Sequence, residues 1–215
     1  MNRPETDALI ERLAREAEPV RPLAGPLSRA GRALLALALP CGLALGLLAD
    51  PVVASSQAAG REALVAVELA AMLVTAALAI IGAYFLSVPG SSRGWLLAPL
   101  PPFLLWLGVS AAGCLGHALL GGDWQAWNVD CLLFILAAGG AVGVPLMWRL
   151  ARARPIDPVP VALLGGLGSS ALAAFLLHFF HPSRVTALDL AVHLVAIGLV
   201  IAAAILARRA ALRPA

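Results

Sequence analysis

Residues 64–88 read LVAVELAAMLVTAALAIIGAYFLSV, with a single charged side chain, Glu68. At 1.5 Å per residue, a helix of this length covers the ~30 Å hydrocarbon core of a bilayer. Outward from it in both directions lie five more runs of the same character, at 33–50, 95–120, 128–148, 159–180 and 187–207. With 61% hydrophobic and 13% charged residues, the chain has too little polar material to wrap a soluble core. The expected fold class is therefore all-α: a polytopic membrane protein, a bundle of six transmembrane helices.

The basic residues fix the expected orientation. All fifteen are arginine. If the N-terminus is cytoplasmic, Arg3, Arg12, Arg15, Arg21, Arg29, Arg32, Arg93, Arg149, Arg152, Arg154, Arg208, Arg209 and Arg213 lie inside, and Arg61 and Arg184 lie outside. Positive flanks are retained in the cytoplasm during insertion, so this bias predicts both termini inside. Arginines at the inner interface meet anionic lipid head groups, which accounts for the +3 net charge without any nucleic acid. The acidic residues Glu5, Asp7, Glu11, Glu16 and Glu18 before the first apolar run are wrong for a cleaved secretory signal. The expected division is a cytoplasmic amphipathic helix and Pro-rich linker over 1–32, a membrane domain over 33–210, and a cytoplasmic tail over 211–215.

The connections are short, so function is expected in the N-terminal segment, the loops or the bundle itself. Thr6 reads as an N-cap, with Asp7 favourable at a helix N-terminus. Leu9, Ile10, Leu13 and Ala17 then recur at three- and four-residue steps as an apolar stripe, with Glu11, Arg12, Arg15 and Glu16 elsewhere. Three turns of helix are marginal alone in water, so the stripe needs a partner: a protein groove or the bilayer surface. The mixed charge of the helix leans toward a protein. Pro19, Pro22 and Pro26, with Gly25, are expected to hold an extended linker before the first span.

The segment Asp7-Ala8-Leu9-Ile10-Glu11-Arg12-Leu13-Ala14 with Pro19-Val20, the arginine-flanked first span, Cys131-Leu132-Leu133 opening the fourth and Leu177-His178 closing the fifth resemble the NrsF-like membrane anti-sigma factors. The resemblance covers nearly the whole chain in layout. It implies a negative regulator of transcription that holds an extracytoplasmic-function sigma factor at the bacterial inner membrane through its cytoplasmic segment. Leu9, Ile10, Leu13 and Ala17 would then lie in a groove of the sigma factor, with Arg12 and Glu16 setting charge register. Sensing in the family is associated with two outer cysteines. Cys131 matches the first; the second is missing here, where Phe179, Phe180 and His181 follow His178.

Two substitutes for that pair are open. Cys131, His178 and His181, with Asp130, Asp123 and His117 near in depth, form a thiolate, imidazole and carboxylate set suited to zinc or another borderline metal. Alternatively, Cys114 and Cys131 sit near adjoining outer ends of consecutive spans and could form a disulfide in an oxidising periplasm. Against both stands the plainer reading of cysteines as packing residues and histidines as interfacial side chains. No resident cofactor is expected beyond transient transition-metal binding.

Glu68, Asp189 and His193 are ionisable groups within or at the edge of spans, where such groups are costly and hence functional candidates. Asp189 and His193 stand one turn apart, with Glu68 at similar depth. A structural or gating contact is favoured; a small transporter or a metal-sensing bundle is the alternative function. No nucleophile or metalloprotease motif occurs within the spans, so an enzyme is not expected. Gly42 with Gly46, and Gly139 with Gly143, have the small-xxx-small spacing of close helix contacts, compatible with a compact bundle or a homodimer.

Overall fold

The structure, a computed structural model, describes residues 3–17, 23–49, 60–119, 129–180 and 187–210. Among these residues there are seven α-helices and no strand: α1 (Arg3–Glu16), α2 (Pro26–Leu48), α3 (Glu62–Leu86), α4 (Leu100–Leu119), α5 (Val129–Ala151), α6 (Pro158–Leu177) and α7 (Ala187–Ala210). A single 3₁₀ turn, Arg93–Leu96, lies between α3 and α4. Five helical segments are long and apolar enough to cross a bilayer, and α7 carries a shorter apolar stretch, Ala191–Ala207.

Two starts differ from the sequence reading. α1 begins at Arg3, which places Thr6 inside the helix rather than at its cap. Pro4 suits a first turn, where its missing N–H has no helical acceptor to lose, and Glu5 complements the positive end. α2 begins at Pro26 for the same reason, with Gly25 as its cap and the Ser28 hydroxyl donating to the Gly25 carbonyl at 3.1 Å. Pro26 therefore opens a helix instead of closing a linker, and Arg29 and Arg32 belong to the first two turns of α2.

The centre of the bundle is α6. Fourteen of its twenty residues are buried, and it packs against α3, α5 and α7. Its glycines explain how one helix takes three neighbours, because small residues let membrane helices approach backbone to backbone. A methyl group on Gly165 would fall 2.7 Å from Met147 Sδ of α5. On Gly166 it would fall 2.8 Å from the Ile201 Cα of α7, and on Gly168 2.8 Å from Ile80 of α3. The buried hydroxyls of Ser169 and Ser170 donate to the carbonyls of Gly166 and Leu167 on their own helix, so they need no cross-helix acceptor.

The two glycine pairs singled out in the sequence behave differently. Gly139 faces Val200 of α7 and Gly143 faces Ser169 of α6, both within 3.2 Å of an added methyl, whereas Gly42 and Gly46 of α2 face open space. α2 is peripheral: it packs chiefly on α3 and exposes Leu35, Leu39, Leu43 and Leu47, one per turn. A leucine ladder of that length facing outward is the surface of a membrane protein.

Candidate functional site

The amphipathic helix stands out first. Every described residue of α1 from Asp7 to Glu16 is exposed, as is Ala17 just beyond it. Its stripe is therefore unburied: Leu9 is 46%, Ile10 59% and Leu13 57% accessible. The charges of the helix are satisfied within it. Arg12 Nε lies 2.9 Å from Glu16 Oε1, and Arg15 Nη2 lies 2.9 Å from Glu11 Oε2, each pair one turn apart. Exposed pairs of this kind contribute only ~0.3–0.5 kcal/mol, so a binding surface could redirect Arg12 and Glu16 at little cost.

The expected sensing group falls largely outside what the structure describes. Backbone places Cys114 on α4 and Cys131 on α5, and His181 and Asp123 lie outside the described residues. His178 follows the last residue of α6 and meets the Phe179 ring edge-on, with centroids 5.6 Å apart. Among the described residues no three metal-ligating side chains converge.

Glu68 is buried in α3 and accepts a hydrogen bond from the Ser110 hydroxyl of α4. Ser110 was not singled out by sequence; the clue available was a hydroxyl at matching depth in the antiparallel neighbour of the span carrying Glu68. His193 is half-buried on α7, and the side chain of Asp189 is outside the described set.

At the other end of the bundle, charge gathers from helices far apart in sequence. The Arg29 guanidinium sits 5.1 Å from the centroid of the Tyr84 ring. Arg32 and Arg149 also lie within electrostatic reach of Tyr84, so the start of α2 meets the ends of α3 and α5. Arg93 of the 3₁₀ turn stands 4.0 Å from Asp157, tying the α3–α4 connection to the α5–α6 connection. Beneath that pair is a cavity of about 440 Å³ lined by Leu86, Val88, Pro89, Ile156 and Leu163. Arg152 stacks on Trp148 at 3.6 Å.

Several long apolar helices around a glycine-rich central one mark a membrane protein, and one charged amphipathic helix is left exposed. Over residues 13–213 the chain matches the family NrsF, negative regulator of sigma F, and it belongs to that family. The family's name implies a regulatory role and a sigma factor as the partner restrained. The match begins inside α1, so Leu9, Ile10 and Arg12 precede it. No curated protein and no solved structure matches the chain.

Proposed function

We propose that this protein is a membrane anti-sigma factor that uses α1 to hold an extracytoplasmic-function sigma factor at the bacterial inner membrane. The observation that carries the reading is the exposure of Leu9, Ile10 and Leu13 on a helix too short to be stable by itself. Such a stripe suits a groove in a helical partner, with Ala17 extending it and Arg12 and Glu16 at its border. The arginine-rich end of the bundle faces the cytoplasm, α7 serves as the sixth span, and both termini are inside; the arginine bias supports this orientation.

Release follows an envelope, metal or redox signal received at the opposite end, where Cys131, His178, His181 and Cys114 are the candidates. α2 is the natural coupling element, because it is the loosest span and leads directly to α1.

The test is co-purification of the sigma factor from membranes with tagged full-length protein, beside Leu9→Asp/Leu13→Asp and a version lacking residues 1–18. Both variants should lose the sigma factor while the bundle remains at its normal membrane level. Undiminished co-purification with the double variant would overturn the reading. A transporter is the second reading, favoured by the buried Glu68 carboxylate. It requires solute uptake into vesicles that survives removal of residues 1–18.

A further inference from the structure

The face between α2 and α5 is not closed. A groove of about 320 Å³ runs there, floored by Ala33, Cys41, Ala138, Val142 and Leu146 and ending at Arg149. Ala36 and Pro40 on one wall and Ala141 and Pro145 on the other stay exposed along it. The lining residues of α5 from Ala138 to Arg149 follow one helix face. Eleven steps of 1.5 Å make the groove about 16 Å long, close to half the ~30 Å hydrocarbon core. That is the depth of one leaflet.

Only one end of the groove is charged, and all of that charge is positive. Arg29 and Arg32 stand one turn before the lining residues Ala33 and Ala36, and Arg149 closes the mouth from α5. Among the described residues none of the three pairs with a carboxylate, whereas Arg12, Arg15 and Arg93 each do. Nη1 of Arg29 is buried without a hydrogen-bond partner, and Tyr84 offers the guanidinium a ring face. An unpaired guanidinium N–H is costly, and a phosphate oxygen is an acceptor that would satisfy it.

We infer that the α2–α5 groove is a binding site for one anionic phospholipid of the inner leaflet, its acyl chain along the alanine floor and its phosphate among Arg29, Arg32 and Arg149. This rests on the membrane orientation given above. A second copy of the chain is a poorer occupant, because a two-fold contact through this face would bring the same unpaired arginines against each other. The α1 helix is also poorer: its arginines are neutralised within the helix, so it offers these cations little net negative charge. Lipid occupancy would hold the loosest span against the bundle, which gives the proposed coupling element a ligand.

Native mass spectrometry of the full chain in non-ionic detergent tests this, with phosphatidylglycerol and phosphatidylcholine of identical chains as probes. Wild type should retain one phosphatidylglycerol in preference to phosphatidylcholine. Each of Arg29→Gln and Arg149→Gln should weaken that binding roughly fivefold. Ala141→Leu, at an exposed wall position, should displace the lipid with every arginine intact, while Arg93→Gln should leave binding unchanged. Equal retention of both lipids, or binding unaffected by Arg149→Gln and Ala141→Leu, would overturn the inference. So would a dimer that Ala141→Leu dissociates, since the groove would then belong to a second copy. A C-terminal alkaline phosphatase fusion that is active in the periplasm would instead overturn the orientation on which the inference rests.

Discussion

α2 and α6 are both apolar enough to cross a bilayer, yet they occupy opposite positions in the molecule. α6 buries most of its length among three helices; α2 buries only Ala30, Ala33 and Cys41 and exposes a leucine on each turn. Apolarity does not separate them, because lipid is as good a solvent for leucine as a protein interior is. Side-chain size does. Glycine, serine and alanine over 165–174 let backbones meet, while the leucines of α2 fill the space where a neighbour would sit. A helix can thus be central for what it lacks.

The most severe way to break this contrast is Gly166→Leu, whose side chain would collide with the backbone of Ile201. It should destabilise the bundle by ~3 kcal/mol, read as a fall in thermal stability in detergent and in membrane level. Ser110→Ala should come next, at ~1–3 kcal/mol, because it leaves the buried Glu68 carboxyl without its donor. Adding Glu68→Leu to that variant should recover much of the loss in the same thermal assay, as removing both partners leaves nothing unsatisfied. The smallest effect is expected from Gly42→Leu, which has the same chemistry as the first substitution but faces open space on α2. It should stay within ~0.5 kcal/mol of wild type, and a large loss there would mean that another helix covers α2.

Much of this architecture was legible in the residues. The apolar runs located the helices because length and composition suffice to mark a span. The stripe of α1 was readable from its three- and four-residue spacing, and its exposure followed from the charges around it. Thr6 misled because its capping preference is weaker than that of Pro4, two residues earlier, for a helix's first turn. The order of the helices was not legible. A span such as α6, apolar all round, carries no periodicity that points to a neighbour, so its role emerged only from the contacts of Gly165, Gly166 and Gly168. The arginine cluster was equally hidden. Arg29, Arg32 and Arg149 were each visible as inner flanks, but their convergence on Tyr84 depends on how α2, α3 and α5 are placed side by side.

The early start of α2 sets a length scale for regulation. Only the nine residues 17–25 separate the end of α1 from the first turn of α2. Fully drawn out, such a tether reaches ~30 Å. Under the proposed function, a partner held by α1 is consequently kept within about that distance of the start of α2.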